Sequence, residues 1–276
     1  MDKRLKAWGV AVALVVATAV QAGEVPVARG GYTLQAQQQG DGALAVVFES
    51  GFGQGAGAWK DVIAGLGADC RCISYARAGL GKSGTDGTPK PIDAHLADLT
   101  AVIDTLAPGR KVVLVGHSYG GLLATEFARR HPERLHGLVL VDPATIGQRH
   151  AFMQADRARV LADDATLLKM LPPAMGADYR VLIEQLDRAD AAAPRALPDL
   201  PVALLTSTQV AAEPFVFEET AQGKSLWKAE HAALFAGASQ GTHGYFNTGH
   251  NLHREAPQAV VEAIRSVSPA PVTTAH

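Results

Sequence analysis

Val112-Val113-Leu114-Val115-Gly116-His117-Ser118-Tyr119-Gly120-Gly121-Leu122-Leu123-Ala124 is the stretch that decides the fold of this 276-residue chain. A run of apolar, β-favouring residues reaches Gly116, one serine then stands between glycines, and a helix-forming run follows. The G-x-S-x-G spacing acquires meaning from that strand–turn–helix setting. A residue at the tip of so tight a turn takes a strained backbone angle, and its neighbours two positions away must lack Cβ atoms to avoid collision. The serine hydroxyl is then thrust out above the sheet, at the positive end of the following helix. A glycine-rich turn can also be purely structural, so the remainder of the chain must show whether Ser118 has chemistry to do.

The length fits one large α/β domain rather than two. A hydrophobic fraction of 47% allows a sizeable core, and 6% aromatic residues point to Leu/Val/Ala packing. A formal charge of -2 gives no reason to expect nucleic acid or an anionic membrane as partner. The first residues read as an address. Lys3, Arg4 and Lys6 precede an apolar run over 7–20, and Val20-Gln21-Ala22 forms a V-x-A cleavage site. The run is shorter than the ~20 residues a spanning helix needs. Residues 1–22 are therefore expected to be a cleavable signal, cut after Ala22, leaving a secreted or periplasmic protein with no stable membrane anchor. Cys70 and Cys72 are the only cysteines. Two positions apart on a strand they make poor disulfide partners, so both are expected as buried free thiols.

Outward from the serine, apolar runs alternate with helical patterns. Residues 31–38 and 43–49 flank Gly40-Asp41-Gly42 and read as an antiparallel hairpin. The glycine-rich loop 50–57 follows, then a helix carrying Trp59, Val62, Ile63 and Leu66 on one face. Strands are expected at 71–75, 111–115, 137–141, 202–206 and 242–246, and helices at 92–106, 121–130 and 257–267. Between 144 and 198 the pattern turns helical and polar, broken by Pro172-Pro173 and Pro194, as an insertion between two strands. The resulting expectation is one α/β domain over 23–268, with a mostly parallel twisted sheet, helices on both faces and a helical cap near 144–198. Residues 269–276 read as a flexible tail.

A nucleophilic serine needs a base. His250 follows Gly249 in a loop ahead of the last helix, where an imidazole can reach Ser118 across the carboxyl edge of the sheet. His253, three residues on, is its chief competitor. His117 adjoins the serine but points away from it, as neighbours on a tight turn do. His95, His131, His136, His150, His231 and His276 read as packing or surface residues.

Five segments in this order resemble the α/β-hydrolase superfamily, in its esterase- and lipase-like branch with a serine nucleophile: Glu49-Ser50-Gly51-Phe52-Gly53 with Trp59; Tyr75-Ala76-Arg77-Ala78-Gly79-Leu80-Gly81-Lys82-Ser83; Gly116-His117-Ser118-Tyr119-Gly120-Gly121; Leu140-Val141-Asp142-Pro143; and Gly249-His250 with Glu255-Ala256-Pro257. The resemblance implies an α/β-hydrolase fold, nucleophile Ser118, base His250, and an oxyanion hole from the backbone N–H groups of Phe52 and Tyr119. It also implies acyl transfer to water through an acyl-enzyme, with no metal or organic cofactor, on a small-molecule acyl substrate. Serine at the elbow argues against dehalogenase or epoxide-hydrolase chemistry, which uses Asp in this fold.

Two positions depart from the family pattern. Ser50-Gly51 stands where many relatives have His-Gly, and the neighbouring Glu49 has no assigned role beyond bracing the loop or the nucleophile turn. The acid is the larger departure. Many relatives carry an Asp after the strand that follows the cap, whereas residues 207–213 hold none and end in Glu213. Asp142, at the end of the preceding strand, is the leading candidate to hold the imidazole. Glu213 is the alternative acid, with Glu218 or Glu219 behind it. Arg77 can touch substrate or pair locally. Gly51-Phe52-Gly53-Gln54-Gly55-Ala56 approximates a dinucleotide fingerprint but follows a hairpin rather than opening a βαβ unit. Two other functions compete with the esterase. One is an aminopeptidase or amidase, which calls for cap acids such as Asp163, Asp164, Asp187 and Asp190. The other is a non-catalytic ligand-binding protein on the same scaffold.

Overall fold

Alternation along the central strands divides the core into two layers, one on each side of the sheet. The computed structural model describes residues 23–190 and 196–269. The expected signal at 1–22, the break at Pro194 and the tail beyond 269 lie outside the described residues. Eight strands, β1 (Gly23–Arg29), β2 (Tyr32–Gln39), β3 (Leu44–Glu49), β4 (Cys70–Tyr75), β5 (Val112–His117), β6 (Leu135–Val141), β7 (Pro201–Ser207) and β8 (Gln240–Phe246), form one sheet. Their order is β1-β2-β4-β3-β5-β6-β7-β8, and every pairing from β4 to β8 is parallel. Val47, Leu114, Leu138, Leu140 and Leu204 face helices α2 (Ile92–Leu106), α3 (Tyr119–Arg130) and α6 (Ala221–Phe235). Val46, Val113, Val115, Val139 and Leu205 face α1 (Lys60–Leu66) and α8 (Pro257–Ser266). Strands buried on both faces read as unbroken apolar runs, as these do.

The hairpin expected around Gly40-Asp41-Gly42 is not formed. β2 pairs antiparallel with β1, through the Gly30-Gly31 turn, and with β4, while β3 lies beyond β4 and pairs with it in parallel. The reason is burial. β3 is apolar on both faces and takes an interior place, so the chain steps across the end of β4 to reach it. That step runs tight against β4: a Cβ on Gly40 would lie 2.0 Å from the Cys70 carbonyl oxygen, and one on Gly42 1.9 Å from that of Asp69. Local turn chemistry was overruled by the demand for two covered faces.

Between β6 and β7 stand α4 (Ile146–Met170) and α5 (Pro173–Arg188). Thr145 and Gln148 form a capping box at the start of α4. The helix bends at Asp156, whose backbone leaves the helical region and whose carboxylate accepts from the N–H of Arg159. Leu171 and Pro172 separate the two helices, as proline restricts the residue before it. Cys70 and Cys72 are free and buried, and burial pushes the Cys72 thiol up to about 12. No helix among the described residues is long and apolar enough to cross a membrane.

Candidate active site

β5 ends at His117, and Ser118 turns the chain into α3 with φ 52° and ψ -123°. Only a glycine takes that conformation without strain, so surrounding structure must hold it. Two backbone bonds tie it to the neighbouring strand end: Ser118 N–H donates to Val141 O (3.2 Å), and Ala144 N–H donates to Ser118 O (2.9 Å). The flanking glycines are needed for closeness. A Cβ on Gly116 would lie 2.4 Å from the Gly120 oxygen, and one on Gly120 2.2 Å from the Glu49 oxygen. The first turn of α3 thus rests directly on the loop that leaves β3. Asp142, at the end of β6, is the other non-glycine residue with positive φ among those described, at 45°.

Ser118, His250 and Asp142 meet at the carboxyl edge of the sheet. Ser118 Oγ lies 2.8 Å from His250 Nε2, and His250 Nδ1 lies 2.7 Å from Asp142 Oδ2. Asp142 is fully buried and its oxygens are well supplied: Oδ1 accepts from Ser207 N–H and Trp227 Nε1–H, and Oδ2 accepts from Ser207 Oγ, each at 2.7 Å. Burial alone would raise this carboxyl; the hydrogen bond and charge of His250, then His231 and Lys224, hold it below its ordinary range instead. For His250, burial disfavours the imidazolium, but Glu218 and Asp142 outweigh it and raise the group to about 9. The imidazole side chain stays 29% exposed, open to the space above the sheet. Such a line can take a proton from the serine and hold the resulting positive charge between an anion and the hydroxyl.

The other candidates fall elsewhere. His253 is buried against Trp59 (rings 4.9 Å apart) and His117 (4.2 Å), and neither of its ring nitrogens has a partner among the described residues. Burial drives it down to about 3. It belongs to the core, not to the serine. His117 turns away from Ser118, as expected, and donates from Nε2 to the His250 carbonyl (2.9 Å), fixing the loop that carries that residue. Glu213 is exposed in its loop, and the carboxylates that approach His250 Nδ1 are Asp142 and Glu218, the latter at 3.6 Å. Glu219 instead accepts from Phe215 N–H. The alternative placement of the acid on Glu213 is therefore corrected by position. Ser207 and Lys224 were missed by sequence reasoning. Ser207 carried no signal, whereas Lys224 did, standing three residues before Trp227 on the inward face of α6.

Beside the serine, neither the Phe52 nor the Tyr119 N–H has an acceptor among the described residues. Their rings pack edge to face, 5.8 Å apart. The loop bearing Phe52 is braced from below. Arg77 donates to the Ser50 and Gly51 carbonyls, both at 2.5 Å, and its guanidinium pairs with buried Glu49. Tyr75 O–H also donates to Glu49, and Trp59 Nε1–H donates to Ser50 Oγ (3.0 Å). Arg77 therefore pairs locally. Glu49, left without a role by the sequence, anchors the cation that grips the loop. Burial raises its carboxyl, against the pull of Arg77 and Tyr75.

Under α4 and α5 lies a cavity of about 200 Å³, walled by Phe152, Val160, Leu167, Leu182 and Leu186 and reaching Glu218. Its charged groups are paired. Arg149 binds Asp164 and Asp187, Tyr179 O–H donates to Asp164, and Asp163 is held by Arg159 and by Phe217 N–H. Asp190 is not free either. Asp142, Glu218 and His250 could offer three ligand atoms to a metal ion within 4.8 Å of one another. Those atoms are already engaged, with Ser207, Trp227 and the ammonium of Lys224.

A family model described as "Alpha/beta hydrolase family" matches residues 46–263. The uncharacterized protein YqjL of Bacillus subtilis is 25% identical over 83% of this chain and 85% of its own length. The esterase Rv0045c of Mycobacterium tuberculosis is 36% identical over 131 residues, 47% of this chain and 43% of that protein. Among solved structures, a thermophilic esterase from Thermogutta terrifontis superposes with TM-score 0.63 at 20% identity, over 89% of this chain and 97% of that one. The enol-lactonase from Burkholderia xenovorans superposes with TM-score 0.64 at 20% identity, over 88% and 99%. At such identities the superpositions speak for the fold.

Proposed function

The chain belongs to the alpha/beta hydrolase family, and from that premise we propose that it is a serine hydrolase cleaving carboxylic esters through an acyl-enzyme. The observation that carries this reading is the unbroken line Ser118 Oγ–His250 Nε2, His250 Nδ1–Asp142 Oδ2 beside two backbone N–H groups without acceptors among the described residues. In it, His250 takes the Ser118 proton as Oγ attacks the substrate carbonyl, and Asp142 holds the imidazolium. The N–H groups of Phe52 and Tyr119 receive the developing oxyanion. His250 then returns the proton to the leaving alcohol, the acyl group stays on Oγ, and water repeats the sequence to release the acid.

The cavity under the helices supports an uncharged acyl group, because its walls are apolar and its acids are already matched by Arg149, Arg159 and Tyr179. An aminopeptidase would need an acid left over for the substrate ammonium, which gives that alternative less support. As part of the same proposal, residues 1–22 direct export and the mature protein acts in a secreted or periplasmic compartment.

Ser118→Ala should lower kcat/KM for short p-nitrophenyl esters by at least ~10³-fold, and a fluorophosphonate should label the native protein but not the variant. An unchanged rate in the variant would remove the serine mechanism.

A further inference from the structure

Glu218 reaches His250 from a different element than Asp142 does. It stands in the short turn Phe217–Glu219 ahead of α6, within the segment that follows β7. Its Oε1 lies 3.6 Å from His250 Nδ1 and 3.1 Å from Lys224 Nζ. Lys224 is only 2% exposed, and its ammonium makes a second bond, also 3.1 Å, to Ser207 Oγ. That hydroxyl in turn donates to Asp142 Oδ2. One imidazole nitrogen thus faces two carboxylates, and one buried ammonium touches both through direct or relayed bonds. A lysine buried this deeply is costly unless its charge is matched, and the match here lies at the reacting histidine.

Resting on the serine-hydrolase reading, we propose that Glu218 is a second carboxylate for His250, a positioning residue that strengthens the imidazole's hold on a proton and supports Nδ1–H beside Asp142, with Lys224 as its counter-charge. During attack Nε2 accepts the Ser118 proton while Nδ1–H stays in place, so the new positive charge faces both carboxylates. Lys224 limits how far they raise the proton affinity, keeping the base able to release that proton to the leaving group.

The other titratable groups facing His250 do not supply this charge. His117 from β5, His231 from α6 and His253 from α7 (Leu252–Glu255) are each lowered by burial and stay neutral. Trp227 meets His250 only edge to face. In the cavity that Glu218 borders, Arg149 is committed to Asp164 and Asp187, and Arg159 to Asp163.

The test is the pH profile of kcat/KM on p-nitrophenyl acetate with the full chain, whose acid limb follows His250 in the free enzyme. Glu218→Gln removes an anion and should move the limb to lower pH by about one unit. Lys224→Met removes a cation and should move it to higher pH. Asp142→Asn/Glu218→Gln should fall at least ~10-fold below Asp142→Asn alone. A residue that only props the loop would lower the rate without moving the limb, or shift it the same way in both variants; either result overturns the proposal, as does an unmoved limb in Glu218→Gln. If the buried Lys224→Met fails to fold by circular dichroism, the Glu218→Gln limb and the double variant decide. Ser118→Ala is run alongside: activity retained there sinks the serine reading, whereas activity lost there with an unmoved limb sinks only the role of Glu218.

Discussion

At the scale of single residues, the site is governed by which charges surround His250. Its imidazolium is raised to about 9, since Glu218 and Asp142 outweigh the burial that opposes them. The proposed mechanism needs the neutral imidazole. The sign is then fixed: kcat/KM should climb as pH rises from 7 towards 9 and level off above it. A limb centred at or below 6.5, the ordinary histidine value, would show that the carboxylates do not stabilise the charged form. Ser118, His250 and Asp142 were legible because each sits at a chain punctuation mark: a glycine-flanked turn, a loop before a helix, a strand end before Pro143. Glu218 and Lys224 were harder to read, because their roles depend on how the turn Phe217–Glu219 folds back towards β6, and no local spacing encodes that approach. His253 shows the same limit from the other side. It stands one helical turn from His250, and only packing against Trp59 and His117 removes it from the chemistry.

Among the elements, the loop leaving β3 depends on a charge pair beneath it. Arg77 holds two of its carbonyls and Glu49 holds Arg77, with side chains only 4% and 1% exposed. Removing one partner of a buried pair leaves the other charge uncompensated. Glu49→Ala should therefore destabilise the fold by about 3–5 kcal/mol, as read from urea unfolding. Where the variant still folds, kcat should suffer more than KM, because the N–H of Phe52 is no longer held in place. Most helices and strands were readable from apolar periodicity; α2 occupies Ile92–Leu106, the span its inward leucines, Val102 and Ile103 mark. The pairing of β2 was not. A Gly-Asp-Gly turn looks the same whether the next strand folds back or crosses over, and the choice is made by β4, which arrives 30 residues later to take the place beside β2.

For the molecule as a whole, the sheet supplies rigid strand ends and the helices between β6 and β7 supply the walls. About 200 Å³ walled by Phe152, Leu182 and Leu186 and reaching Glu218, 3.6 Å from His250, is the space the proposal gives to the acyl group. Leu186→Trp should cut kcat/KM for the longer p-nitrophenyl acyl esters by about 10-fold or more while sparing the acetate, since lost acyl room is felt as lost transition-state binding. Equal losses across the acyl series would place the acyl group elsewhere. The layered α/β arrangement followed from the sequence because alternating strands and helices permit few topologies. The cavity did not, because it depends on a bend at Asp156 and on the packing of α5 against the Phe52 loop, where Tyr179 meets Phe52 at 5.5 Å.

Of the two positive-φ residues, Ser118 is clipped to the chain on either side of Asp142 by Ser118 N–H to Val141 O and Ala144 N–H to Ser118 O, while Asp142 N–H donates to Leu205 O on β7. Tension at the elbow is thus carried by the same joint that registers β5 with β6, and it can be weighed by substitution. Position 118 is the N-cap of α3, where glycine already outranks alanine, and the positive φ widens that gap, so Ser118→Gly should be more stable than Ser118→Ala by about 1 kcal/mol or more. Calorimetry on the two variants would then weigh how far the resting fold is kept from its own most comfortable shape by the residue at its elbow.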